Sequence, residues 1–235
     1  MRLGALYAGI VLLIVVVIIA IVGGFGSDSK QEIVIDPTMS VPAARALTEA
    51  HIEGIVTSMQ VMALTDEVKS ADWDTMETLL AEFEDGSISL VAWFALPDGS
   101  YYTVDAGLAA GNLNDRDYFP VVMGGEVVIG DLIVSKSTGK ESTVVTVPVS
   151  DGGEIVGALG ASIYLDELSQ LIVDDLDLSS EMVFYAVNED DVIALHSDAE
   201  MIMQDASEID DLPCLMSYSS GLLDWTFAIG FECEQ

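Results

Sequence analysis

Seven basic residues stand against 40 acidic ones in this 235-residue chain, so the place of each cation carries information. Arg116 is the most informative. It lies in Asn114-Asp115-Arg116-Asp117-Tyr118-Phe119, where Asn114 or Asp115 reads as the N-cap of a short helix. A guanidinium forms paired, charge-assisted hydrogen bonds with a carboxylate, and a helix N-terminus also favours an anion. These residues suit capture of a small anion. The alternative is a surface ion pair of Arg116 with Asp115, Asp117 or Asp131, and the sequence leaves both open.

Other chemistry is sparse. His51 and His196 are the only histidines, and nothing in the sequence places them together. There is no Gly-x-Ser-x-Gly elbow, phosphate-binding Walker loop or His-Glu-x-x-His pair, the arrangements that activate a nucleophile, cradle phosphates or hold catalytic zinc. No Asp-x-Asp-x-Asp-Gly loop of the calcium type occurs. Gly157-Ala158-Leu159-Gly160 follows a strand, but the dinucleotide fingerprint is incomplete; here the glycines let a strand pack closely or bulge. No enzyme, metal or cofactor is expected. The formal net charge of −33 excludes a nucleic-acid binder, because such surfaces are basic. It fits a solvated acidic surface.

The elements that must position Arg116 follow from turn chemistry. Trp93 to Leu168 reads as an antiparallel sheet of about five strands, interrupted by the one short helix. Pro97-Asp98-Gly99-Ser100, Ser137-Thr138-Gly139-Lys140 and Asp151-Gly152-Gly153-Glu154 are the turns. Glu141 to Ser150 is rich in Val and Thr, as a half-buried strand is. Before the sheet, Ser40 reads as the N-cap of a helix with Pro42 in its first turn. Its buried face carries Ile52, Ile55, Val56, Met59, Met62 and Ala63. A second helix is expected from Asp74 to Glu84, opened by the Asp74-x-x-Glu77 capping pattern and closed by Gly86. After the sheet come a short helix from Leu165 to Leu171, a hairpin turning at Asn188–Asp191, and a second hairpin around Ser219-Ser220-Gly221.

Asp115-Arg116-Asp117-Tyr118-Phe119, Ser135-Lys136-Ser137-Thr138-Gly139, Val147-Pro148-Val149 and Gly157 through Leu168 occur in an order and spacing that resembles a double Cache (dCache) domain. This is the PAS-like extracellular sensor module of prokaryotic chemoreceptors and sensor kinases. The resemblance covers most of the chain beyond residue 40. It implies an α+β fold: an N-terminal transmembrane helix, a long helix, a PAS-like antiparallel β-sheet module, and a smaller, reduced β module. It also implies that Arg116 and its neighbouring aromatics hold a ligand's carboxylate. Tyr118, Phe119, Ser135 and Ser162 are the implied lining, with Trp93 and Tyr102 as further candidates. Two positions depart from the amino-acid-sensing pattern. Ser162 stands where an Asp would hold the ligand's amino group, and Gly111 stands where an aromatic is expected. A small carboxylate without an amine fits better.

From Leu3 to Ser27 there is no charged residue, a run that approaches the ~20 apolar residues spanning a bilayer and exceeds a signal-peptide core. With Arg2 on one side, the positive-inside rule puts the N-terminus in the cytoplasm and the rest outside. The expected organisation is a transmembrane anchor over 1–27, a linker over 28–40, and a helical segment over 41–85. The membrane-distal ligand-binding module covers 86–172 and the reduced membrane-proximal module 173–235. Cys214 and Cys233, the only cysteines, fall on adjacent expected strands, where an extracytoplasmic location allows a disulfide; two free buried thiols are the alternative. The expected function is a single-pass, cell-membrane-anchored extracytoplasmic sensor for a small organic anion, its output supplied by a membrane signalling partner. The alternative is a structural or adhesive surface protein on the same scaffold without a ligand.

Overall fold

The computed structural model describes residues 37–209 and 214–231. The expected anchor over 1–27 and most of the linker lie outside the described residues, as does Cys233. Among the described residues no helix is long and apolar enough to cross a membrane.

Helix α1 (Pro37–Met62) is the spine. It already runs from Pro37, the first described residue. The expected start at Ser40 is therefore corrected: Ser40 is buried and Pro42 lies inside the helix, at the loss of one intrahelical bond. Val41, Ala44, Ile52, Ile55, Met59 and Met62 are buried, the three-four spacing of one apolar stripe. Thr48 sits in the same stripe and satisfies its hydroxyl by donating to the Ala44 carbonyl at 2.9 Å. After the short α2 (Asp66–Lys69), α3 (Trp73–Asp85) is capped by Asp72, which accepts from the Asp74 N–H. The cap is thus two residues earlier than expected, while Gly86 ends the helix as expected.

The chain then builds β1 (Leu90–Ala95), β2 (Tyr101–Thr103), β3 (Gly107–Leu108), α4 (Tyr118–Met123), β4 (Val128–Val134), β5 (Glu141–Asp151) and β6 (Glu154–Tyr164). The strands form one antiparallel sheet in the order β3-β2-β1-β6-β5-β4. It has six strands where about five were expected, the addition being the two-residue β3. Helix α5 (Leu165–Asp175) follows, four residues longer than its expected end. A second antiparallel sheet, ordered β8-β7-β10-β9, comprises β7 (Val183–Val187), β8 (Ile193–His196), β9 (Cys214–Ser219) and β10 (Thr226–Phe231).

Strand β1 is buried along its whole length because both faces of the first sheet are covered. On one face Ala92, Phe94, Val145, Val147, Leu159, Ala161 and Ile163 pack under the stripe of α1 and against Met76 and Leu80 of α3. The same core continues through Phe184, Leu195, Phe227 and Ile229 of the second sheet, so the two sheets share it and α5 crosses the 172/173 division. Each such side chain contributes roughly 1.5–3 kcal/mol when fully buried. On the other face Trp93, Ala95, Tyr101, Val144 and Ala158 pack against Leu113, Tyr118, Phe119 and Val122. This second, smaller core is where the candidate site lies. At the sheet edge, β4 bulges at Gly130 (φ +97°), where an added Cβ would lie 3.2 Å from the Leu223 carbonyl. A left-handed glycine thus lets the β9–β10 loop approach β4.

Candidate functional site

Strand alternation decides which residues reach the smaller core. In the β1–β2 hairpin Trp93 stands opposite Thr103 and Ala95 opposite Tyr101, so residues 93, 95, 101 and 103 share one face. Tyr101 is therefore at the site. Tyr102 is not: it lies on the opposite face, its ring stacked on Trp73 at 5.3 Å. That choice is corrected by one position, and the hairpin parity is the signal that could have found it. Trp93, Arg116, Tyr118, Ser135 and Ser162 do come together, joined by Tyr101, Leu113, Ile133, Lys136 and Ser137, around one small cavity. Phe119 is buried in the apolar packing of α4 and is not among the residues lining the cavity.

Helix α4 starts at Tyr118, with Asp117 in its cap position and no side-chain cap bond. The expected cap at Asn114 or Asp115 is thus displaced; those residues sit in a turn closed by the Arg116 N–H on the Leu113 carbonyl. A six-residue helix is too short for its dipole to hold an anion, so the expected helix-terminus contribution is absent here. Arg116 Nη2 donates to the Val134 carbonyl at 2.5 Å, and its Nε is buried without a protein partner. The salt bridges among the described residues are Lys136–Asp115 and Lys140–Glu167. Asp115 thus pairs with Lys136 and not with Arg116, and neither Asp117 nor Asp131 forms a bridge. Lys136 stays exposed and also donates to the Asn112 carbonyl at 2.6 Å. Its hydrogen bond holds the Asp115 carboxyl below the usual range.

The cavity is nearly full. Its volume is about 10 Å³, room for one water at most. Trp93, 3% exposed, donates its indole N–H to the Ser162 hydroxyl at 3.2 Å and packs against Tyr118 and Tyr101. A Cβ at Gly160 would lie 2.0 Å from Trp93 Cζ2, and one at Gly111 would lie 3.3 Å from the Tyr101 hydroxyl. Two rings thus occupy the space that two missing side chains leave. Ser135 hydroxyl exchanges a hydrogen bond with Ser137 and accepts from the Thr138 N–H, which holds its turn. The lining contains two cations, Arg116 and Lys136, and no carboxylate. Burial pushes the Tyr101 and Tyr118 phenols up, opposed at Tyr101 by a hydrogen bond with Ser137 and then by Arg116, and at Tyr118 by Arg116.

Arg116, Tyr118 and Ile133 also form a wall of an open cleft of about 360 Å³ between β4, the β7–β8 turn and the β9–β10 loop. Its charge is the reverse: Asp115, Asp117, Asp131, Glu189, Asp190 and Asp224 line it beside Arg116. Burial, with repulsion from Asp117 second, raises the Asp131 carboxyl. The histidines have separate surroundings. His51 lines a groove between α1 and the end of α3. His196 is buried on β8, its Nδ1 accepting from the Asp198 N–H at 2.9 Å.

No protein family matches the chain, and no curated protein does. Solved structures do. The ligand-binding domain of the amino-acid chemoreceptor PctB of Pseudomonas aeruginosa PAO1, in complex with L-Arg, superposes with a TM-score of 0.67 at 16% identity, over 83% of this chain and 86% of that one. The sensor domain of the V. cholerae histidine kinase DctB gives 0.62 at 11% identity, over 83% and 96%. The ligand-binding domain of the chemoreceptor PctC of Pseudomonas aeruginosa PAO1, in complex with GABA, gives 0.58 at 15%, over 83% and 94%. These neighbours are receptor and sensor domains, and at such identities the likeness speaks for the fold. The chain therefore has the double Cache fold that its motifs resemble.

Proposed function

We propose that this chain is a membrane-anchored, extracytoplasmic small-molecule sensor module, and that its ligand is a small organic anion such as a carboxylate. One observation carries the reading: Trp93, Arg116, Tyr118, Ser135 and Ser162, separated by up to 69 residues, line a single cavity whose lining has no carboxylate, and Arg116 forms no salt bridge among the described residues. A buried anion needs a cationic partner, and the cavity has Arg116 and Lys136. The structural neighbours include domains in complex with L-Arg and with GABA, both of which carry a carboxylate. Output would come from a signalling partner in the membrane, with the N-terminal segment as anchor.

The test is a thermal-shift screen of the soluble part against organic acids and amino acids, since a ligand that binds only the native state raises Tm. Protease added to intact cells should degrade the module; protection would place it inside and overturn the topology. A second reading, a structural or adhesive surface protein without ligand, is favoured by the cavity's small volume. A screen in which no acid shifts the wild type or a cavity-opened variant would support it.

A further inference from the structure

The cavity beneath Arg116 is stopped from within. The ring of Trp93 lies flat against the backbone of β6, at a residue where any side chain would collide with it. Tyr101 meets that ring edge-on, and Tyr118 leans toward it at 6.2 Å between centroids. The berth is thus a flat slot walled by Gly160 and two aromatic rings, with a guanidinium at its rim.

Resting on the reading of this cavity as the ligand site, we propose that Trp93 is a displaceable stopper and that the ligand taking its berth is a ring-bearing carboxylate. Three observations carry this. First, the stopped form leaves polar groups without partners. Thr146 is fully buried, stands opposite Gly160 in the β5–β6 register, and alternates with Val145 and Val147 onto the site face; its hydroxyl has no protein partner. Arg116 Nε also has none. A buried polar group left unpaired is costly, so the stopped form is not the best state these residues can reach. A carboxylate supplies acceptors for the guanidinium and for a hydroxyl. Second, the indole has one polar tie, its N–H to Ser162, which a donor on an incoming ligand can replace. Third, the ring is not sealed in on every side: Arg116, Tyr118 and Ile133, which line its cavity, are also a wall of the open cleft of about 360 Å³. The slot shape selects a flat apolar body of about the size it holds now. A site that opens only part of the time binds with an affinity lowered by the open fraction, so the stopper also sets the sensor's threshold.

The experiment is calorimetric titration of wild type, Trp93→Ala and Trp93→Ala/Arg116→Ala with benzoate, indole-3-acetate, neutral indole and acetate. Circular dichroism is the folding control. Emptied apolar slots bind flat aromatic molecules. Trp93→Ala should therefore bind benzoate or indole-3-acetate at least tenfold more tightly than wild type and more tightly than acetate. The added Arg116→Ala should abolish that gain for the acids and leave indole binding in place. If the acids bind equally well without Arg116, the stopper stands and the anion reading falls. If folded Trp93→Ala binds no ring compound, or binds no better than wild type, the stopper falls. Should Trp93→Ala fail to fold, Trp93→Leu carries the same comparison; failure of both to fold makes Trp93 plain core and overturns the proposal.

Discussion

Replacing Gly160 by alanine tests the packing of the site without any ligand. An ideal Cβ there lies 2.0 Å from Trp93 Cζ2 and 2.1 Å from Cε2. Ordinary contact begins near 3.4 Å, so the ring must retreat by about 1.4 Å or turn out. Overpacking of this kind costs roughly 1–3 kcal/mol. Loss of the indole bond to Ser162 adds about 0.5–1.5 kcal/mol. Gly160→Ala should therefore destabilise by about 1.5–4.5 kcal/mol, lowering Tm by roughly 3–18 °C for a domain of this size. The cost should depend on the ring. Trp93→Ala alone should destabilise by about 3–5 kcal/mol, and Gly160→Ala in that background should add less than about 0.5 kcal/mol, because the three atoms nearest its Cβ all belong to the Trp93 ring. Urea denaturation of the four proteins closes the double-mutant cycle. Equal costs of Gly160→Ala in the two backgrounds would refute the claim that Trp93 is what Gly160 accommodates.

Arg116→Ala should weaken binding of a small carboxylate by about ten- to a hundred-fold or more, the worth of a charge-assisted hydrogen bond. Arg116→Lys should restore little of it. Stability should fall by only about 1 kcal/mol, since water can replace the guanidinium at the edge-strand Val134 carbonyl; unchanged affinity in folded Arg116→Ala would remove Arg116 from the site. Burial lowers the His196 imidazole below its usual range, so the unfolded chain takes up its proton first. Its contribution is then complete above about pH 6.5 and declines as pH falls below that, by up to about 1.4 kcal/mol per pH unit. The difference in urea midpoint between wild type and His196→Asn should shrink from pH 7.5 to 5.5; a constant difference would contradict the burial. Cys214 stands opposite Phe231 on neighbouring strands, two residues from Cys233 in sequence. Peptide mapping of protein isolated from its native source without reductant should yield the Cys214–Cys233 pair, and two alkylatable thiols would disprove the bond.

What the chain declares locally, it declares well. Turn residues mark both hairpins of the second sheet and the β1–β2, β4–β5 and β5–β6 connections, because Pro, Gly and Asp act through their own φ and side-chain bonds. The stripe of α1 and the close packing of Gly157 and Gly160 are legible for the same reason: a period of 3.6 and a missing Cβ are properties of the chain itself. Ends were less legible. Ser40 lies inside α1 and Asp72 caps α3 because several local starts compete and packing selects among them.

The site divides along the same line. Arg116 could be named from its chemistry, and Tyr118, Ser135 and Ser162 from the motif order that resembles a double Cache domain. That they meet at one cavity depends on pairings between residues as distant as Trp93 and Ser162, which only the assembled sheet makes. The choice of Tyr101 over Tyr102 rests on hairpin register, where one position changes the face. The stopped cavity depends on volume: a ring from β1 and a vacancy on β6 are 67 residues apart, and neither alone says that one fills the other. Composition and periodicity record what each residue prefers; which space is left over is decided only when every side chain has been packed.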